Sequence, residues 1–153
     1  MTTLRFETEI HRPLPEIYRL ARQVERHPEF IADYLSCKVL ERREDDLLLE
    51  RTAMIRGKVH TWQSWVHFVE NQGLYFVHEG GRLHGMRVSW EFAPRNSFCT
   101  TMTITQAFDV RLPIPGIGSF LEKNVFGPKL SDIARRVMQS FKQACESSVE
   151  AVA

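Results

Sequence analysis

The chain has 153 residues, of which 43% are hydrophobic and 25% are charged, and its formal net charge is +1. This length is enough for one domain with a hydrophobic core, and the composition is ordinary for a globular protein. The small net charge excludes a chain that attracts nucleic acid or an anionic membrane surface through its overall charge.

A strand and two short helices are predicted first. Apolar and charged residues alternate over Thr3–His11, which indicates a strand. Pro15 suits the first turn of a helix, and apolar residues at helical spacing continue that helix as far as Val24. Pro28 ends it, and the segment Pro28–Leu35 is interpreted as a second short helix.

Six further strands are predicted after these helices. The segments between them are short and contain glycine, asparagine and charged residues, as in REDD, RGK, ENQG, GGR and PRNS. The predicted strands are Ser36–Arg43, Asp46–Arg56, Lys58–Glu70, Gly73–Gly80, Leu83–Pro94 and Phe98–Val110. Gaps this short indicate hairpins, so we expect an antiparallel meander.

The last predicted element is an amphipathic helix that begins near Lys129 and extends over Ser131–Ser147. A curved sheet that grips a single long helix leaves space between them, which is a candidate ligand cavity. Prolines and glycines exclude a continuous helix or strand in the first half of Leu112–Pro128, and a short helical turn is predicted around Ser119–Asn124. The apolar side chains of this segment indicate either a mobile rim over the cavity or a static loop packed on the core.

The order of elements and four short motifs resemble the START-like helix-grip superfamily. Within it, the chain is similar to the polyketide cyclase/dehydrase and coenzyme-Q-binding-type families. The motifs are IYRLARQVERHPEF (Ile17–Phe30), CKVLER (Cys37–Arg42), WQS (Trp62–Ser64) and VSWEF (Val88–Phe92). The resemblance implies an α+β helix-grip fold over residues 1–153. In that fold a curved seven-stranded antiparallel sheet wraps around a long C-terminal helix, with two short helices after the first strand.

The resemblance also implies a ligand. Members of the superfamily hold a hydrophobic small molecule between the sheet and the last helix, and some bind lipids or quinones. Bacterial aromatase/cyclases fold and dehydrate a poly-β-ketone chain in this space. They commonly carry Trp-x-Ser-Arg-Arg on one strand, with the serine and the second arginine facing the cavity. Trp62 and Ser64 match this pattern, whereas Trp65 and Val66 replace the two arginines. The change favours an apolar wall, because an arginine there would polarise a ketone or stabilise an enolate.

Two histidines on the strand that contains Trp62 suggest a metal site, but their spacing argues against one. Successive side chains of a strand point to opposite faces, so His60 and His67 diverge. Metal ligands must converge on one ion. Cys37, Cys99 and Cys145 are far apart and odd in number, which favours a reducing cytoplasm over disulfides or a zinc site. We therefore expect a cytoplasmic protein, with no signal sequence, no metal and no cofactor.

Alternation along the strands and the helical period select candidate ligand-binding residues. Among them, Ser64, His78 and Gln106 are polar on otherwise apolar faces, and they are the candidate catalytic residues. The ligand-binding candidates are Trp62, Ser64, Val66, Phe76, His78, Trp90, Gln106, Phe108, Phe120, Met138 and Phe141.

Three functions remain open from the sequence. The leading prediction is a protein that binds a hydrophobic small molecule, such as a lipid, quinone or polyketide-like compound. The second is a polyketide aromatase/cyclase or dehydratase that acts in the same cavity. The third is a ribosome-associated protein that uses the arginines of RLARQVER (Arg19–Arg26), although a solvated helix face is the favoured interpretation of that charge run. No binding to DNA is expected.

Overall fold

The structure, a computed structural model, describes residues 1–110, 112 and 115–147. Its strands are β1 (Thr2–Ile10), β2 (Tyr34–Arg43), β3 (Asp46–Ile55), β4 (Lys58–Val69), β5 (Gly73–Glu79), β6 (Arg87–Asn96) and β7 (Cys99–Phe108). They form one curved antiparallel sheet in the order β1-β7-β6-β5-β4-β3-β2. The first strand therefore pairs with the last, and every other pair is a hairpin of consecutive strands. The predicted meander is confirmed.

The helices are α1 (Leu14–Ala21), α2 (His27–Phe30), α3 (Ile117–Leu121) and α4 (Gly127–Ser147). A 3-10 turn at Val24–Arg26 precedes α2, and a π-helical segment at Glu122–Phe126 joins α3 to α4. Helical structure is therefore continuous from α3 to the end of α4. The long helix begins earlier than its amphipathic period indicates.

The concave face of the sheet packs on α4, as the sequence predicts. Alternate side chains of β7 are buried, and the same alternation runs along β3 and β4. Phe141 of α4 is fully buried, and its ring lies 5.4 Å from that of Trp90 and 6.1 Å from that of Phe92, between ring centroids. These contacts hold the second half of α4 against the sheet.

Two element boundaries differ from the sequence prediction by four or five residues, and the other strand ends by one or two. Strand β6 begins at Arg87 rather than Leu83, because Gly80, Gly81 and Gly85 adopt positive φ and form a turn with the residues between them. Helix α2 ends at Phe30 rather than Leu35. The chain is already extended at Ile31, and Asp33 has a φ of 73°.

The segment between β7 and α4 also differs from the prediction. It contains more helix than the single turn expected around Ser119–Asn124, while Pro113 and Ile114 of this segment lie outside the described residues. Leu121 and Phe126 pack against a second buried cluster that includes Phe108 and Leu130. The opening of this segment over the cavity stays a prediction.

The π-helical segment is anchored by a buried carboxylate. Glu122 is 5% exposed, and it accepts hydrogen bonds from Thr2 Oγ1 at 2.5 Å and from the Val110 amide at 2.9 Å. Gly127 completes the arrangement, because a Cβ atom there would lie 2.7 Å from the carbonyl oxygen of Glu122. The start of the long helix is thus tied to the first residues of β1 and to the chain that leaves β7.

No helix within the described part of the chain is long and apolar enough to cross a membrane. Cys37, Cys99 and Cys145 form no disulfide with one another.

Candidate functional site

A cavity of about 330 Å³ lies between the concave face of the sheet and the first half of α4. Six strands, β2 to β7, contribute to its sheet wall through Tyr34, Arg51, Trp62, Phe76, His78, Val88, Trp90, Ile104 and Gln106. The helical wall consists of Phe126, Lys129, Leu130, Ile133, Ala134 and Val137. Most of these side chains are apolar or aromatic, which is the usual lining of a small-molecule site.

The position of the cavity follows from the distribution of side-chain sizes along α4. Farther along the helix, Met138 and Phe141 fill the space to the sheet, together with the rings of Phe30 and Trp90. Nearer its start, the smaller Ala134 faces the interior and leaves the sheet uncovered. The space that remains there is the cavity.

Five of the residues selected from the sequence as ligand-binding line this cavity. They are Trp62, Phe76, His78, Trp90 and Gln106. Ser64 is fully buried beside the wall and reaches it through a hydrogen bond from Arg51. The structure therefore places Trp62 and Ser64 on the concave side of β4, as the alternation predicts.

The other five selected residues do not line the cavity. Val66, Met138 and Phe141 lie deeper in the main core, where α4 is in close contact with the sheet. Phe108 belongs to the second buried cluster, together with Leu130. Phe120 is 56% exposed, because the helical segment turns its ring outward. Helical periodicity identified the buried face of α4, but not the point along it where the cavity begins.

Arg51 is the polar residue of the wall that sequence reasoning missed. It lies on β3 directly opposite Trp62 of β4, and only 4% of its side chain is exposed. Its guanidinium carbon lies 4.4 Å from the ring centroid of Phe76 and 5.4 Å from that of Trp62, and Tyr34 is 5.9 Å away. Three aromatic rings thus surround a buried cation, whose position they stabilise by cation–π contact.

The signal for Arg51 was present in the sequence. Arg51 shares a face of β3 with Leu49 and Ala53, both of which are buried. Alternation alone therefore places it inward. A charged residue in a strand is ordinarily assigned to the solvent face, which is why the period was not followed at this position.

The hydrogen-bonding capacity of the polar wall is only partly used. Within the described residues, the Arg51 guanidinium makes one hydrogen bond, from Nη2 to Ser64 Oγ at 3.1 Å. Arg51 Nε and Gln106 Oε1 are buried and have no partner among the described residues. Buried polar atoms are normally hydrogen-bonded, so these two atoms mark places where a bound molecule can complete the site.

His78 lies opposite Ser64 on the neighbouring strand and also faces the cavity. Burial, with a smaller contribution from the positive charge of Arg51, lowers the pKa of His78 to about 4. The imidazole is therefore neutral at pH 7 and can accept a proton or a hydrogen bond.

The charges around the cavity are of one sign. Arg51 lies inside, and Arg82 and Lys129 lie at the mouth with His60. Burial, then Lys129 and Lys58, lower the pKa of His60. Among the described residues, no aspartate or glutamate lines the cavity, and no group of acidic, histidine and cysteine side chains is arranged to hold a metal ion. His67 points to the opposite face of the sheet, where it contacts Asp46 at 2.7 Å.

Comparisons with known proteins agree with this architecture. A family profile described as polyketide cyclase/dehydrase and lipid transport matches residues 10–141. Among curated proteins, none matches the chain.

Several solved structures have the same fold. The Zhui aromatase/cyclase from Streptomyces sp. R1128 superposes with a TM-score of 0.84 at 10% identity, over 99% of this chain and 98% of that chain. The TTHA0849 protein from Thermus thermophilus has a TM-score of 0.81 at 19% identity, over 97% and 99% of the two chains. A START superfamily protein from Mycobacterium smegmatis has a TM-score of 0.71 at 18% identity, over 99% of each chain.

Proposed function

Because the chain belongs to the polyketide cyclase/dehydrase and lipid transport family, we propose that it binds a hydrophobic small molecule, of the lipid, quinone or polyketide-like kind, in the cavity beneath α4. The observation that carries this proposal is the cavity of about 330 Å³ with its wall of aromatic and aliphatic side chains. Each Å² of apolar ligand surface that is removed from water contributes about 25 cal/mol to the free energy of binding. Such a wall can therefore bind an apolar molecule without any reaction taking place.

The neutral fluorescent probe N-phenylnaphthylamine tests this binding. We expect it to bind the wild-type protein with one-to-one stoichiometry, and its affinity to fall at least about tenfold in Ala134→Phe, where a phenyl ring occupies the cavity. Gln143→Phe is the matched control, because it adds the same ring to an exposed position of the same helix. Equal affinity in both variants, or no binding to the wild type, would contradict the proposal.

A second candidate, a cyclisation or dehydration reaction in the same cavity, is supported by Arg51. The aromatase/cyclase pattern has an inward arginine on the strand of Trp62, and here the neighbouring strand supplies a guanidinium opposite Trp62 instead. A preorganised cation in a site of low polarity stabilises a developing enolate, and neutral His78 can take the proton.

Turnover distinguishes this candidate from binding alone. Incubation with a poly-β-ketone thioester should give a product that has lost water, detected by mass spectrometry, and the yield should fall at least about a hundredfold in His78→Gln if the histidine is the base. A product yield that equals the protein-free control would leave the protein as a binder only.

A further inference from the structure

The cavity wall contains a buried charge that the protein does not neutralise. Arg51 is a permanent cation, since a guanidinium does not lose its proton in a protein. Its side chain is 4% exposed, and the ion pairs of the described residues do not include it. A buried charge is costly unless another charge or a full set of hydrogen bonds compensates it. The protein alone supplies Ser64 Oγ and three aromatic rings, and neither is an anion.

Among the described residues, none serves as a counter-ion for Arg51 inside the cavity. The part of the cavity wall that the structure describes contains no aspartate or glutamate, whereas Arg82 and Lys129 add positive charge at the mouth. An anion that enters this space is attracted by the cations at the mouth and by the guanidinium inside, and the described wall contains no carboxylate that would repel it. A cationic ligand meets the opposite conditions.

The free atoms of Arg51 match an oxyanion. Arg51 Nε is buried without a partner among the described residues, while Nη2 is held in place by Ser64 at 3.1 Å. The guanidinium is planar, Ser64 fixes its orientation through Nη2, and Nε is an unused donor. Such a group is suited to a carboxylate, because a carboxylate can accept hydrogen bonds from two N–H groups of one guanidinium at once. The rings of Phe76 and Trp62, which flank the guanidinium, would contact the apolar part of the same ligand.

We infer that the cavity selects an organic acid, in which an apolar body fills the space under α4 and the anionic group binds Arg51. This inference rests on the proposed binding function and specifies the chemistry of its ligand. Gln106, whose Oε1 has no partner among the described residues, lies on the far strand of the wall and is available to a hydroxyl group on the body of such a molecule. The acid need not be the product of a reaction in this protein.

The first test uses two probes with the same ring system. Anilinonaphthalene sulfonate is N-phenylnaphthylamine with an added sulfonate, which here represents the anionic group of the ligand. A charge-assisted hydrogen bond in a buried site corresponds to about tenfold in affinity or more. We therefore expect the sulfonate to bind the wild type at least about tenfold more tightly than the neutral probe. In Arg51→Met the two probes should bind equally, through loss of affinity for the sulfonate alone.

The second test uses competitors of one chain length. Dodecanoate should displace the neutral probe at a concentration at least about tenfold lower than dodecanol, and dodecylamine should be the weakest of the three. Arg51→Lys retains the charge without the planar donor pair, so it should keep only part of the preference. If Arg51→Met does not fold, Arg51→Gln removes the charge and retains a polar end. Arg87→Met, an exposed position on β6, is the control for the same change in net charge.

The outcomes separate the two proposals. If the neutral probe fails to bind the wild type, the proposed binding function is wrong. If that probe binds, but the sulfonate and dodecanoate bind no better than their neutral counterparts, the acid preference is wrong and the binding function stands. A preference that persists in both Arg51→Met and Arg51→Gln, or that is lost equally in Arg87→Met, also overturns the assignment to Arg51.

Discussion

Replacing Phe141 with alanine is expected to lower the free energy of unfolding by about 3–5 kcal/mol, which is a large share of the roughly 5–15 kcal/mol typical of a whole domain. Phe141 is fully buried in α4, and its ring contacts those of Phe30, Trp90 and Phe92 at centroid distances of 6.3, 5.4 and 6.1 Å. The truncation removes apolar contact and opens a cavity among rigid rings, which cannot collapse into it.

Urea unfolding followed by far-ultraviolet circular dichroism measures this effect. Phe98→Ala is the matched control, because the same atoms are removed from a ring that is 76% exposed in the turn between β6 and β7. We expect the control to change stability by no more than about 0.5 kcal/mol. If Phe141→Ala lies within about 1 kcal/mol of the wild type, the second half of α4 is not held against the sheet as described.

The free energy of unfolding is also expected to fall steeply as the pH drops below about 6.5, because the fold contains histidines that are held neutral. Burial lowers the pKa of His27 from 6.5 to about 3, although a hydrogen bond to the Ala21 carbonyl opposes the shift and Arg51 adds to it. The Nε2 atom of His27 lies 2.8 Å from Ala21 O, so it carries the proton and donates. Nδ1 is buried without a partner among the described residues, beside the stacked ring of Trp90.

The direction of this pH dependence follows from the different protonation of His27 in the folded and unfolded chain. In the unfolded chain His27 takes up a proton near pH 6.5, whereas the folded chain resists it down to about pH 3. The stabilisation is therefore complete above pH 6.5 and is lost progressively as the pH falls toward 3. The linkage amounts to about 1.4 kcal/mol for each pH unit between the two pKa values. His27 alone therefore lowers the free energy of unfolding by about 5 kcal/mol as the pH falls from 6.5 to about 3. His78 acts in the same direction between pH 6.5 and about 4.

Denaturant unfolding at a series of pH values tests this expectation. The slope of unfolding free energy against pH reports how many more protons the unfolded chain binds than the folded chain. Between about pH 6 and pH 4, this number should be smaller by nearly one proton in His27→Phe than in the wild type. The variant keeps an aromatic ring against Trp90. His78→Phe should reduce the slope over a narrower range, since its folded pKa of about 4 lies closer to the unfolded value. An unchanged slope in both variants would falsify the assignment of acid sensitivity to these two residues.

Much of the fold could be predicted because each strand carries its own period. Trp62, Ser64 and Val66 share a face, and the structure turns all three toward the interior. Turns were harder to place: the predicted turn is GGR alone, and Leu83 is taken as the first apolar residue of β6, whereas the turn continues through Gly85 and β6 begins at Arg87. The early start of the long helix was missed because Pro115 and Gly116 argue against helix, whereas the structure begins α3 directly after Gly116 and ties Glu122 to Thr2 and the Val110 amide.

The candidate site was predictable in its sheet wall and not in its helical wall. Alternation on β4 to β7 identifies the inward side chains from which the cavity wall is drawn, such as Phe76 and Gln106, although inward Val66 and Phe108 pack in the core instead. Periodicity along α4 identifies which face of the helix is buried. The position along the helix at which it separates from the sheet depends instead on the volumes of all the side chains between them. That is why Met138 was selected and Ala134 was not.

The π-helical segment at Glu122–Phe126 has a consequence for chain length in relatives of this protein. A π-helical turn contains one residue more than an α-helical turn, so deletion of one residue from this segment would restore regular α-helical spacing with little rotation of α3 relative to α4. The cavity wall at Lys129–Val137 would keep its place, since it lies after the deletion. Residues before the deletion would instead each move by one position along the helix, so a side chain other than Glu122 would face Thr2 and the Val110 amide. Insertions and deletions before Gly127 can thus remodel how the helix joins the sheet without altering the ligand-facing side of α4.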